Sequence, residues 1–263
     1  MRLLCVLEGH EHEVKSVAWS PDGMFLATSS RDKTAWVWEC DAESLAVADV
    51  ECMAVLVGHA QDVKCAKWRP GTSDLMTSSY DNSVRFWPFD SEEEDWPLDM
   101  QMPLSPDAHA STVWSLDFEP LGYGASGAVT KSSRFVSCDG DGKIVLWNED
   151  GEADGDAGDA LEKEAKWKVV ARIDTPHDRC VYSLSWAPCT KKMSTATIAS
   201  AGGDDRICVY KESGSPGSNR FVLTHDQPKA HASDVNCVQF NPSNPCELAS
   251  AGDDLCIKVW LMA

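Results

Sequence analysis

Positive charge is scarce in this sequence. There are 23 lysines and arginines against 42 aspartates and glutamates, a formal net charge of -19. Such a surface repels a sugar-phosphate backbone unless a basic patch is isolated from the rest, so direct nucleic-acid binding is not expected. The 11 cysteines include no CxxC pair and no local Cys/His cluster with the spacing of a zinc or iron-sulfur site. They read as small apolar residues in a reducing compartment, with no metal and no cofactor expected. No apolar run is long enough to span a bilayer, and no charged segment leads into an apolar secretory core. The expected location is the cytosol, with the nucleus as a second compartment.

What the chain has instead is internal repetition. His10, His59, His109, His177 and His231 are each followed four residues later by Val14, Val63, Val113, Val181 or Val235. Trp19, Trp68, Phe118, Trp186 or Phe240 stands nine residues after the histidine, and Pro21, Pro70, Pro120, Pro188 or Pro242 eleven. The second half of each unit is as regular about Asp32, Asp81, Asp141, Asp204 and Asp254. Thr28, Thr77, Ser137, Ser200 or Ser250 lies four residues before the aspartate, and Trp38, Trp87, Trp147, Tyr210 or Trp260 six after it.

Between His and Pro the apolar residues alternate, as in VKSVAW and VNCVQF, which is the period of a half-buried strand. FLATSS and TAWVWE continue it on either side of a turn, and no useful helical periodicity interrupts it. Units of this length, built from short antiparallel strands, are the blades of a propeller with the WD signature. The expected fold is therefore all-β: a WD40 β-propeller with five recognisable repeats at about 9–41, 58–90, 108–148, 176–211 and 230–262, in a single domain over 1–263.

The His, Ser/Thr, Asp and Trp positions match the hydrogen-bonded tetrad of WD40 proteins, in which Asp holds His, His holds the hydroxyl and the hydroxyl holds the indole. A Ser, a His and an Asp brought together also suggest hydrolysis. Repetition argues against that, because an active site is needed once and a brace is needed in every blade. Tyr210 in place of Trp, and the CDGDG turn around Asp141, depart only slightly from the pattern.

The anchor histidines are 49, 50, 68 and 54 residues apart, so the extra length sits between His109 and His177. Residues 121–134 lengthen a strand connection, and residues 148–165 form an acidic, Gly-rich loop without the ligand order of a calcium site. SEEED at 91–95 and SGSPGSN at 213–219 read as exposed loop tips. LLCVL at 3–7 looks like the outermost strand that precedes each Gly-His corner, and would complete the last blade.

The wording of the repeats resembles one branch of the WD40 family, the subunit of the cytosolic iron-sulfur protein assembly targeting complex. LEGHEHEVKSVAWSPDG with LATSSRDKTAWVWE resembles that family's third blade, and HAQDVK with SSYDNSVRFW its fourth. STVWSLDF, VYSLSW with GGDDRICVY, and AHASDVNCVQFNP with LASAGDD follow in the family's order. The resemblance implies a seven-bladed docking platform with two further repeats ahead of those present here. It also implies a non-catalytic scaffold for iron-sulfur cluster delivery. The implied partners are a MIP18-family protein, the HEAT-repeat adaptor of the complex, an iron-only hydrogenase-like protein and apo iron-sulfur clients. The alternative is a WD40 adaptor of another pathway, in a ubiquitin ligase or a chromatin complex. A propeller enzyme would need a unique cluster of titratable groups in the channel, and only the repeated tetrad is found.

The residue before each tetrad Asp samples the binding face: Arg31, Tyr80, Gly140, Gly203 and Asp253. Arg31 is the only cation in that set, and its guanidinium suits a carboxylate on a client or partner. In SRDK it matches an arginine the family carries on its surface. Lys33 and Tyr80 are further candidates for the same patch. Trp36 and Trp38 share one side of their strand, and core packing is expected of both.

Overall fold

Each alternating run that starts four residues past a histidine becomes the innermost strand of a sheet in the computed structural model. The structure describes residues 3–40, 50–98, 100–101, 108–122, 131–149, 167–190 and 195–262. Five antiparallel sheets follow one another along the chain. The first contains β1 (Val14–Trp19), β2 (Phe25–Ser30), β3 (Thr34–Glu39) and β4 (Cys52–Val57). The second contains β5 (Val63–Trp68), β6 (Leu75–Ser79), β7 (Val84–Trp87) and the short β8 (Met100–Gln101). The third contains β9 (Val113–Phe118), β10 (Arg134–Asp139), β11 (Ile144–Glu149) and β12 (Trp167–Ile173). The fourth contains β13 (Val181–Trp186), β14 (Thr197–Gly202), β15 (Ile207–Glu212) and β16 (Phe221–Gln227). The fifth contains only β17 (Val235–Asn241), β18 (Asn244–Gly252) and β19 (Ile257–Leu261) among the described residues.

Sheets stack as blades because both faces of each are apolar. β1 lies against β5, β5 against β9, β9 against β13 and β13 against β17. A separate core fills each junction. Ala35, Val37, Ala54 and Leu56 of the first blade meet Ala66, Trp68 and Trp87 of the second. Phe86 and Met76 meet Phe118, Phe135 and Trp147 at the next junction. Burying a side chain of this size stabilises by roughly 1.5–3 kcal/mol, so the junctions supply much of the folding free energy.

Polar groups tie the innermost strands across the junctions. Ser16 Oγ accepts from Ala66 N at 3.0 Å, and Ser183 Oγ accepts from Val238 N at 3.1 Å. Asp117 accepts from Trp186 N at 2.7 Å. Two buried arginines tie neighbouring blades together. Arg69 holds Glu149 of the third blade and donates from Nε to Ser132 O at 2.6 Å. Arg134 pairs with Glu119 in its own blade and with Glu212 of the fourth, the latter at 2.7 Å.

Residues 3–7 do not complete the last blade: they form no strand, and Leu3, Leu4 and Val6 are exposed. Their backbone lies outside every ladder, since the fourth-strand signal in a sequence does not say which edge is within reach. The connection at 121–134 ends one residue earlier than expected, because Arg134 already belongs to β10. Residues 123–130 and nearly all of the acidic loop at 148–165 lie outside the described residues. Ser91–Asp95 are exposed, as expected of a loop tip. In the 213–219 turn, Asn219 is partly buried and accepts from Arg134 Nη1 at 3.2 Å.

Candidate docking face

The tetrads brace one end of each blade. In the second blade Trp87 Nε1 donates to Thr77 Oγ1 at 2.9 Å, Thr77 lies 2.8 Å from His59 Nε2, and His59 Nδ1 lies 2.9 Å from Asp81. One direction of donation satisfies every group: indole to hydroxyl, hydroxyl to Nε2 of a neutral imidazole, and Nδ1–H to carboxylate. The same chain runs through Trp38, Thr28, His10 and Asp32, and through Trp260, Ser250, His231 and Asp254.

Two blades depart from it. In the third, Trp147, Ser137 and His109 take their expected places, but the carboxylate is Asp139 at 2.8 Å and not Asp141. Asp139 sits at the end of β10, where the first two blades carry Ser30 and Ser79. It is fully buried, and it caps Asp141 N and Lys143 N at 2.9 Å each. Asp141 is left exposed in the turn. In the fourth blade His177 joins Ser200 and Asp204, but Tyr210 Oη is 3.4 Å from Ser200 and donates to Thr175 Oγ1 at 2.8 Å. A phenol reaches past the serine that an indole would meet. Thr175 is thus part of this brace, and nothing in the repeat pattern points to it.

The electrostatics fit buried ion-dipole chains. Burial pushes the Asp32, Asp81 and Asp204 carboxyls up, but hydrogen bonds from the tetrad histidine and the turn outweigh it and hold each below the usual range. In Asp254 the bond from His231 is the main cause of the same lowering. Desolvation lowers the His59 imidazole against the pull of Asp81.

The tetrad turns shape one face. The residue after the turn aspartate is left-handed in every blade, at Lys33 (φ 76°), Asn82 (67°), Gly142 (80°), Asp205 (62°) and Leu255 (64°), as a three-residue hairpin loop requires. Lys33 is exposed on this turn. The preceding residue, Arg31, is 56% exposed and lies 3.1 Å from Glu13. Tyr80 is 43% exposed.

A second residue per blade reaches the same face. Each innermost strand has a register shift one residue after its first valine, a bulge that turns out Lys15, Lys64, Trp114, Tyr182 or Asn236. These meet the turn residues. Lys64 Nζ lies 4.7 Å from the Tyr80 ring centre and 5.0 Å from that of Trp114. Tyr80, Trp114 and Tyr182 form an edge-on row with centroids 6.0 and 5.1 Å apart. Tyr182 Oη donates to Asp234 at 3.3 Å, and Asn236 donates to Asp253. The structure therefore joins Tyr80 to an aromatic row across three blades, whereas Arg31 pairs within its own blade.

Trp38 is buried as expected, but Trp36 is only partly so. It stacks on Trp38 at 5.2 Å, donates to Thr34 Oγ1 at 2.8 Å, and closes over Gly9, where a Cβ would collide with its ring.

The repeat family described as WD domain, G-beta repeat matches residues 1–39, 50–88, 102–148 and 221–260. A probable cytosolic iron-sulfur protein assembly protein 1 of Vanderwaltozyma polyspora is 41% identical over 99% of this chain and 67% of its own length. The chain belongs to the WD40 family, in the branch of the cytosolic iron-sulfur protein assembly proteins. A protein of the same description from Candida albicans is 42% identical over 98% of the chain and 66% of its own length. A probable cytosolic Fe-S cluster assembly factor of Schizosaccharomyces pombe is 42% identical over 97% of the chain and 38% of its own length. The chain thus spans about two thirds or less of the length of these relatives.

The end of this WD40 propeller opposite the tetrad turns carries a cavity of about 330 Å³. Its lining includes the repeated aromatic and proline positions Trp68, Phe118, Pro120, Trp186, Phe240 and Pro242. Asp117 is its one carboxylate, and it is engaged by Lys67 Nζ at 3.5 Å as well as by Trp186 N. This is a strut between blades. Among the described residues no group of three or more His, Cys, Asp or Glu is placed to hold a metal ion. No helix among them is long and apolar enough to cross a membrane.

Proposed function

We propose that this propeller is a non-catalytic scaffold of the cytosolic iron-sulfur protein assembly machinery, a single domain that docks partner subunits and apoprotein clients. The observation that carries the reading is the identity of about 40% along nearly the whole chain to proteins named for that assembly. The geometry supports it: among the described residues each Ser/Thr-His-Asp group is a repeated brace, and the constellation that stands out is a face. The proposed partners are a MIP18-family protein, the HEAT-repeat adaptor, an iron-only hydrogenase-like protein and apo iron-sulfur proteins. The proposed location is the cytosol, extending to the nucleus. Arg31, Lys33 and Tyr80 are the proposed contacts, with the guanidinium of Arg31 exchanging Glu13 for a carboxylate on the partner.

Tagged protein in a lysate of its own organism is expected to recover the MIP18-family and HEAT-repeat subunits. Recovery of a ubiquitin-ligase or chromatin complex without them would move the protein to another pathway. Arg31→Glu is expected to reduce client capture at least tenfold. Its melting temperature should stay within a degree or two, because a solvent-screened pair at the surface contributes little to stability. Normal capture by that variant, or its unfolding, would remove Arg31 from the contact set.

A further inference from the structure

The aromatic row on the tetrad face belongs to the second, third and fourth blades, each of which packs between two others. Its openness depends on two glycines. At the position held by Arg31 and Tyr80 in the first two blades, the third and fourth carry Gly140 and Gly203. Neither is left-handed, so the backbone does not call for glycine there. What the two glycines keep is space. A Cβ on Gly203 would stand 3.2 Å from the Tyr182 ring, and one on Gly140 would stand 3.6 Å from Trp114 Nε1 and press on Ser111 Oγ. A longer side chain at either position would cover a ring that is now partly exposed.

These rings already accept a cation. Lys64 Nζ lies over both Tyr80 and Trp114, and its side chain is only 11% exposed. Among the described residues no cation lies over Tyr182. The field around the row is negative. The Gly-His corners and tetrad turns of the three blades, at 58–64, 79–83, 108–114, 139–143, 176–182 and 202–206, hold seven aspartates against four lysines and arginines. Three of those four cations are already paired: Lys64 with Asp62, Arg179 with Asp234 and Arg206 with Asp226. The turn of the third blade sits on the corner of the fourth, where Cys180 Sγ donates to Gly140 O at 3.1 Å and a Cβ on Gly142 would meet Arg179 O. That contact places Asp141 and Asp178 in the junction that Trp114 and Tyr182 span. Both are exposed, and neither has an ion pair among the described residues.

We propose that the row of Tyr80, Trp114 and Tyr182 receives an arginine from an extended basic segment of a partner protein. A guanidinium is planar and weakly hydrated, so it can stack on the uncovered rings while its edge donates to the carboxylates of Asp141 and Asp178. An ammonium is a compact, strongly hydrated point charge and fits such a stack less well. An acidic peptide would be repelled by the surrounding aspartates. The proposal concerns the chemistry of one surface, so it does not rest on the iron-sulfur reading.

The test is fluorescence anisotropy of a labelled, amidated octapeptide of alternating glycine and arginine, titrated with the 263-residue chain. The arginine peptide is expected to saturate at one site. Its lysine counterpart should bind roughly threefold more weakly and its uncharged citrulline counterpart about tenfold more weakly, with no binding by the glutamate counterpart. Gly140→Arg, the first blade's residue at this position, supplies a competing guanidinium and should weaken binding about tenfold, as should Trp114→Leu. Asp141→Asn together with Asp178→Asn changes only exposed groups and should weaken binding roughly threefold at an unchanged melting temperature. Glu92→Gln with Glu93→Gln removes the same charge at the exposed 91–95 tip, at the opposite end of the blades, and should leave binding as it was. The proposal is overturned if that distant pair weakens binding as much as the Asp141 and Asp178 changes do. It is equally overturned if the citrulline or glutamate peptide binds as well as the arginine peptide, or if folded Gly140→Arg binds normally.

Discussion

Which carboxylate completes a tetrad is decided by the backbone, as the third blade shows. Asp139 and Asp141 are two residues apart in CDGDG, yet only Asp139 is fully buried beside His109, with two backbone N–H groups on its other oxygen. An amide there keeps one acceptor oxygen and turns a donor toward groups that also donate. Asp139→Asn is expected to cost about 1–3 kcal/mol of stability, and Asp141→Asn less than about 0.5 kcal/mol. Urea midpoints of the two variants check this; equal losses would return Asp141 to the brace. A fixed offset from the serine selects Asp141, which is why the sequence points to it. The offset carries no information on which side chain turns inward. Four of the five carboxylates, all five histidines and all five hydroxyl positions are legible from spacing alone, because the hairpin geometry repeats there without change. Lys64, Trp114 and Tyr182 were legible in principle, each being the residue after the recurrent valine. Alternation assigns that position to an ordinary strand face, and a bulge is invisible to a period-two reading.

At the scale of elements, the strand order of four blades and the packing of their apolar faces follow from alternation. The ties between blades do not. Arg134 is 15 residues from Glu119 and 78 from Glu212, and the repeat gives no reason to connect them. Burial alone would raise the Glu212 carboxyl, but the hydrogen bond and charge of Arg134, together with backbone hydrogen bonds at Asn219 and Gly217, outweigh it and leave the group lowered. Arg134→Met would leave two carboxylates without their cation in a site nearly closed to water. We expect it to destabilise by about 3–5 kcal/mol, with much of the loss recovered when Glu119→Gln and Glu212→Gln are added. Thermal melts of the single and triple variants test the point. A single variant as stable as the parent would mean that the apolar junction alone holds these blades.

For the whole molecule, acidification sets two electrostatic effects against each other. Protonating exposed carboxylates relieves the self-repulsion of a chain with a formal charge of -19, which favours the compact state. Protonating the braces opposes it. Asp32, Asp81, Asp204 and Asp254 are all held below the usual carboxylate range, so the unfolded chain binds protons that the folded chain refuses. Their contribution is complete above the unfolded value of about 4 and is lost as pH falls through the lower folded values. His59 has the same sign, since its folded value is also lowered: its contribution is complete above 6.5 and declines below it. Salt separates the two effects, because screening at about 1 M shortens the Debye length to roughly 3 Å and acts on exposed charges far more than on buried pairs. The melting temperature is expected to vary little between about pH 8 and 6.5, soften toward about pH 4 and fall steeply below it, with the steep part surviving in high salt. A loss below about pH 4 that disappears on adding salt would assign acid unfolding to the surface charge. The repeated braces would then have no measurable part in it.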